Sequence, residues 1–582
     1  MSEIEDPTAD ALVEGAALDA GLDAGLDEPD VGPDEPGEPG PPRRGLLRSS
    51  ATPAVGTALS RATGLWRVSA LTAALGLTSV ADTYNLANTT PNILYELVLG
   101  GVLSSTLVPM FIHGDTQDGR AASGRDGSDP DDTASVLMTV SFVAITLLSI
   151  VAVIGSPLIN QLFALPLDGA EKEQQLRLGD EFLALLLPQV FFYGMTTLMT
   201  AQLHARRRFA APAFAPVLTN VITTAAGLAV WWLISSGRTD ADSTATVYLL
   251  GLGTTAGVAS MATALLPSLR RAGIRLRWHF EPRHPAVRKL VRLSGWTVGF
   301  AAANQVALLL VLTIARGSGE GAVSAYQYAF IFFQLPYGLI AVSIMTVILP
   351  DLSEAASAHN VIAFRERFRE GLAVLLTFLL PASGAYLFIG EPLVELLLQR
   401  GSFTAEDTVA TADMLLGFAL GLPAFAVFLY VVRAFHARRN TRTPFWLNLF
   451  ENTLNVVLVV PFVAIVGQVG LSLAYSAAYF VAAVVAVVVL NRHVRSTLTL
   501  RGLAVFAKGL LVAFLVLVSV GAAMWAVRRG GDVGALVEIL VAVAVALPVF
   551  AVATFALRPH GFEDSVDTLR RGLRGRWSRM RR

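Results

Sequence analysis

Four charged side chains stand where charge is costly: Arg61, Arg67, Asp82 and Glu96, within the otherwise apolar stretches 55–79 and 86–112 and the turn between them. A guanidinium offers a planar fork of donors, the geometry that grips a phosphate through paired charge-assisted hydrogen bonds. Arg61 and Arg67 are six residues apart. That spacing is about 240° around a helix axis, so they share a face only if Gly64 between them allows a kink. Two readings of the arginines stand: they hold an anionic, preferably phosphate-bearing substrate, or Arg61 is a flanking anchor that snorkels to water. Asp82 is either a substrate contact or a cap of the turn it occupies. Glu96 has three readings: proton coupling, pairing with Arg67, or a polar wall of a cavity. Asn304, Gln305 and Gln334 are candidates for lining the same cavity. A single polar residue in a buried helix also serves merely to bridge a neighbour, worth about 1 kcal/mol or less.

Other chemistry is not expected. The chain has no cysteine, and its eight histidines show no metal-ligand spacing, so neither a disulfide frame nor a metal centre is expected. No phosphate-cradling GxxxxGK[ST] loop, GxSxG elbow or HExxH helix occurs, so no enzymatic activity, cofactor or nucleotide hydrolysis is expected. Nucleic acid is not an expected partner.

The elements that must position these residues follow from composition. Apolar residues make up 54% of the 582, charged residues only 15%, and mean hydropathy is +0.57. Soluble domains carry about 25% charged residues, so this chain buries its apolar faces in lipid. Fourteen stretches between residues 55 and 557 are long enough to cross a bilayer, each about 20 residues or more. The first two, which carry the charges above, are the ones a hydropathy window is expected to miss.

The loops set an orientation. Arginine clusters follow the fourth, sixth, eighth, tenth and twelfth stretches: Arg206–Arg208, the run from Arg270 to Arg292, Arg365–Arg369, Arg438–Arg442 and Arg492–Arg501. The intervening loops hold acidic residues such as Asp168, Glu171, Asp240, Asp242, Glu406 and Asp407. By the positive-inside rule both termini lie in the cytoplasm of a cell-membrane protein. The acidic loop 113–132 departs from the pattern, but the rule counts lysine and arginine rather than carboxylates.

A repeat is also visible. His204-Ala205-Arg206-Arg207 recurs as His436-Ala437-Arg438-Arg439, with Pro212 and Pro444, and then Asn220 and Asn452, at the same offset of 232. An offset of six spans preserves direction through the membrane, so the expected fold is an all-α membrane protein of two parallel six-helix repeats around a central cavity. The expected organisation is an acidic, disordered tail over 1–50, lobes over 51–270 and 271–495, two further helices over 496–557, and a basic tail over 558–582. Such halves rock against each other to expose a central site alternately.

The stretch Ser60-Arg61-Ala62-Thr63-Gly64-Leu65-Trp66-Arg67, followed by Asp82, Pro91-Asn92-Ile93-Leu94 and Leu107-Val108-Pro109, resembles the MurJ (MviN) family of lipid II flippases. Leu335-Pro336-Tyr337-Gly338, Leu349-Pro350-Asp351-Leu352-Ser353, Arg400-Gly401-Ser402-Phe403-Thr404 and Asn440-Thr441-Arg442-Thr443-Pro444 are similar to further motifs of that family. The resemblance covers about residues 55–495. It implies the fold of the multidrug/oligosaccharidyl-lipid/polysaccharide exporter superfamily. It also implies a cargo of undecaprenyl-diphosphate-linked disaccharide-pentapeptide, with a water-filled cationic cavity for the headgroup, Arg61 and Arg67 within the matching motif, and the two extra helices as a groove for the lipid tail. Two departures stand out. Tyr95, Glu96 and Gly100 occupy positions where many members carry an Arg-Arg pair and a Glu, and Phe330 and Ile331 stand where many carry Asp-Arg. The residues alone leave two other readings: an exporter of another polyprenyl-linked glycan or a drug, and a non-transporting scaffold that docks cell-wall or division proteins through its tails.

Overall fold

The computed structural model describes residues 44–97, 130–206, 208–273, 278–494, 500–529 and 534–563. The acidic tail to residue 43, the Leu107-Val108-Pro109 motif, the acidic loop up to residue 129 and the basic tail from 564 lie outside them. Contacts divide the chain into Met1–Ala51 and Thr52–Arg582. The first unit contributes only the start of one helix to the described residues; the second holds all the other helices.

Seventeen α-helices and no strand occur among the described residues. They are α1 Arg44–Leu75, α2 Ser79–Tyr95, α3 Pro130–Ile154, α4 Ser156–Phe163, α5 Gly169–Leu186, α6 Gln189–Ala205, α7 Ala210–Ser235, α8 Thr244–Arg271 and α9 Pro285–Arg316. Then come α10 Ala322–Pro336, α11 Val342–Ser357, α12 Val361–Leu398, α13 Ala405–Ala437, α14 Arg442–Val466, α15 Gly470–His493, α16 Leu500–Arg529 and α17 Ala535–Leu557. A π-helical segment, Tyr337–Ala341, joins α10 to α11 just beyond Pro336, where proline withholds a backbone donor.

Eleven segments among the described residues are long and apolar enough to cross a membrane, and one of them, Arg442–His493, contains both α14 and α15. Helices α1 and α2 fall outside that set. Counting α14 and α15 separately and adding these two gives the fourteen spans. Large side chains such as Leu147, Val151, Val457, Val484 and Leu547 are exposed along the helices. In water such faces would drive association; here they meet lipid tails.

Helix starts obey local chemistry. Thr78 caps α2 and Ser243 caps α8, each accepting from a backbone N–H three residues on, and Thr404 and Asp407 form a reciprocal capping box at α13. Helix α13 is the most enclosed span, with 72% of its apolar window buried.

The core divides along the sequence. Its largest cluster draws mainly on residues 311–494. Three smaller clusters lie among residues 71–269, and a last one joins α16 and α17, where Gly521 lets α16 approach Phe388 of α12. The repeated asparagines do corresponding work. Asn220 of α7 donates to Ser60 O and Thr63 Oγ1 of α1, while Asn452 of α14 donates to Asn304 Oδ1 of α9. The first and seventh spans are thus tied to the fifth and eleventh in the same manner.

Candidate functional site

Helix α1 runs unbroken through Gly64. A side-chain carbon on Gly64 would stand 3.6 Å from Asn220 Nδ2, so this glycine packs against α7 and no kink forms. Arg61 and Arg67 consequently face different neighbours. Arg61 is exposed, and its guanidinium lies beside Gly338: a side-chain carbon added there would be 3.1 Å from Nη2. Arg67 is half-buried and acts electrostatically on Tyr84 of α2 and Tyr193 of α6. Among the described residues no hydrogen bond or ion pair engages either guanidinium. Arg433, near the end of α13, is also exposed and acts on Tyr337, next to Gly338.

Asp82 is fully buried, and its carboxylate is spent on a helix of the other repeat. Its Oδ2 accepts from the Gly321 N–H at 2.9 Å, and Oδ1 accepts from the Ser324 N–H at 2.9 Å and the Ser324 hydroxyl at 2.7 Å. These are the unsatisfied donors of the first turn of α10, whose own N-cap residue, Gly321, has no side chain to offer. A carboxylate there also meets the positive end of the helix dipole. Gly321 is required twice over. Its φ is +77°, and a side-chain carbon would lie 2.6 Å from Leu77 Cβ and 2.7 Å from Leu77 O.

Around this latch the two repeats are stitched together. Asn85 Nδ2 donates to Ser324 Oγ and to the Tyr328 hydroxyl at 2.9 and 3.1 Å. The Ser79 N–H donates to Glu320 Oε1 at 2.9 Å. Arg316, 2% exposed, donates to Gln175 Oε1 at 3.0 Å and to Ser79 Oγ at 3.3 Å. The α12–α13 loop closes the same end: the Ser402 N–H donates to Ala73 O at 2.8 Å and its hydroxyl to Ala74 O at 3.2 Å, satisfying carbonyls at the end of α1. At the face where α1 turns into α2, these contacts hold the two repeats together.

A cavity of about 520 Å³ lies mostly among α9, α10, α13, α14 and α15, with Thr89 of α2 completing its wall. It gathers Asn304, Gln305 and Gln334 together, as well as Phe330 and Ile331. Arg61, Arg67, Asp82 and Glu96 do not line it. Glu96 stands half-buried just past α2; its backbone N–H caps that helix, and its side chain makes no hydrogen bond or ion pair among the described residues. One lining residue escaped the sequence reading: Glu451, 1% exposed, in the middle of α14. The available signal was the spacing of Asn448, Glu451, Asn452 and Asn455, which places four polar groups on one face of an apolar helix.

A many-spanned bundle of two like halves, latched at one face and hollow within, is the architecture of a membrane transporter. The solved structure titled "Lipid II flippase MurJ, inward closed conformation" superposes with a TM-score of 0.69 at 22% identity, covering 87% of this chain and 99% of that one. A multidrug resistance MATE family transporter of the MOP superfamily, in its inward-facing conformation, gives 0.61 at 15% identity, covering 78% and 98%. The model of the family "Lipid II flippase MurJ" matches residues 71–543. The chain is 31% identical over 402 residues to the probable lipid II flippase MurJ of Rhizobium meliloti, covering 69% of this chain and 72% of that protein. It is 27% identical over 435 residues to the lipid II flippase MurJ of Burkholderia cenocepacia, covering 74% and 80%. The chain belongs to the MurJ family.

Proposed function

We infer that this protein moves lipid II, the polyprenyl-diphosphate-linked peptidoglycan precursor, across the bacterial inner membrane by alternating access. The observation that carries this reading is the family match over residues 71–543, which takes in α2 to α16 and the cavity they enclose. The headgroup must cross about 30 Å of hydrocarbon, and a cavity with polar groups on its wall, such as the one among α9, α10, α13, α14 and α15, lowers that cost. We place the arginine-rich face in the cytoplasm, so the Asp82 latch closes the outer face and cargo enters from inside.

The cargo's diphosphate needs cations. With Phe330 and Ile331 where relatives carry Asp-Arg, that charge falls to Arg61 and Arg67 on α1 and to Arg433 on α13. Arg61 lies beside Gly338 of the π-segment, and Arg433 acts on Tyr337 of the same segment. Both lack an ion-pair partner among the described residues, which leaves their donors free for phosphate oxygens.

The test is replacement: cells depleted of their own lipid II flippase are supplied with this chain, and outer-leaflet lipid II is measured. Restored growth together with outer-leaflet lipid II is the expected result. An equal amount of membrane-inserted protein that leaves lipid II in the inner leaflet would overturn the reading.

A further inference from the structure

Glu451 presents a problem that the cavity must solve. It lies mid-span on α14 and is 1% exposed. The Tyr479 side chain acts on its carboxyl group, and the carboxyl oxygen Oε2 has no hydrogen-bond partner. No lysine, arginine or histidine pairs with it among the described residues. The groups that face it are aromatic or neutral. Helix α15 presents Tyr475 and Tyr479, and α10 presents Tyr326. Helix α9 brings Asn304 and Gln305 to the same cavity, and α13 brings Phe425. On its own helix Asn455, one turn away, also has an unpartnered buried oxygen, Oδ1.

An ionised carboxylate without a cation is not tolerated in such a place; it takes up a counter-charge. Two buried acceptors one helical turn apart, Glu451 Oε2 and Asn455 Oδ1, have no hydrogen-bond partner among the described residues. A proton on Glu451 Oε2 removes the charge and supplies the donor. The position also has leverage. Tyr326, on which Glu451 acts electrostatically, sits on α10 two residues beyond Ser324, and Ser324 is held by Asp82. Any change of charge in the cavity is therefore felt by the helix that the latch holds.

We propose that Glu451 is a proton-binding site, and that its loading and release couple the transport cycle to proton movement; the coupling half rests on the flippase reading above. The carboxylate takes one proton from whichever face the cavity meets, and returns it when that cavity opens to the other. The polar wall gives the proton a path that the apolar outer faces of α14 do not.

The site and the coupling are separable by experiment. Infrared difference spectra of the purified full-length chain, in sodium-free buffer, should show a protonated carboxyl band that titrates with pH and is missing in Glu451→Gln. This variant keeps the side chain's size and one acceptor oxygen, and size-exclusion profiles confirm its fold. A band unchanged by the variant, or one that never titrates, would overturn the site. Loss of the band on adding millimolar sodium at fixed pH would also overturn it, in favour of a metal ion. For coupling, outer-leaflet lipid II is followed across a pH series. Wild type should depend on pH, Glu451→Gln should fall at least tenfold and lose that dependence, and Glu451→Asp should keep it with a displaced midpoint. An unchanged pH profile in Glu451→Gln would refute coupling. If wild type moves no lipid II at all, the flippase reading fails, while the infrared result still decides the site.

Discussion

In the function proposed above, the arginines of α1 are the residues on which recognition of the cargo turns. On that proposal Arg67→Ala should remove a charge-assisted contact with the cargo, worth about 1.5–3 kcal/mol, or about 10- to 100-fold in affinity. Arg67→Lys should recover only part of this, because an ammonium lacks the planar fork. Arg61→Ala should cost less, since α1 makes no kink at Gly64 and the Arg61 guanidinium stays exposed. Lipid II binding by the purified variants checks all three, and a double alanine variant with full affinity would remove these residues from the site. Asp82 belongs to a different experiment. Asp82→Ala strips the acceptor from two buried N–H groups, those of Gly321 and Ser324, at about 1–3 kcal/mol each. The chain has no native cysteine, so a single Val323→Cys reports on the latch directly. Val323 is 0% exposed, and its labelling by a membrane-impermeant thiol reagent should rise sharply once Asp82 is alanine. Unchanged labelling would mean that the latch holds without this carboxylate.

Among the elements, the start of α10 and the end of α1 are the least replaceable. Gly321→Ala places a side-chain carbon against Leu77 and forces alanine to φ +77°, a conformation that costs about 1–2 kcal/mol for a residue with a Cβ. The expected outcome is a weakened latch, read with the same Val323→Cys probe and a lowered Tm. How much of this was legible in the sequence depends on the range of the contact. The apolar spans and the paired asparagines were readable because helix periodicity and repeats are local patterns. The role of α1 as a charge-bearing span was readable from motif resemblance, although its hydropathy falls short. The latch was not readable, because Asp82 and the donors it satisfies are 239 and 242 residues apart. Nor was the fate of Gly64, whose neighbour Asn220 comes from another span. Glu451 went unseen because one carboxylate barely dents the mean hydropathy of the 52-residue segment around it, and only the helical spacing of its polar neighbours betrays it.

At the scale of the whole molecule, the alternation of arginine clusters makes a topology that reporters can read. Fusions after residues 170, 240 and 400 should report the outside, and fusions after 207, 280 and 440 the cytoplasm. A reversed reading at more than one of these sites would invert the assignment of the latch to the outer face. That assignment has an electrical consequence. A bacterial inner membrane holds a potential worth about 2.3 kcal/mol per elementary charge per 100 mV, and a hollow protein with a loose end is a short circuit. The buried hydrogen bonds that Asp82 accepts, and those that Asn85 and Arg316 donate, hold the two repeats against each other at that face. Cells expressing Asp82→Ala should therefore leak current: their resting potential, followed with a voltage-sensitive dye, should drop even where enough cargo still crosses to build a wall.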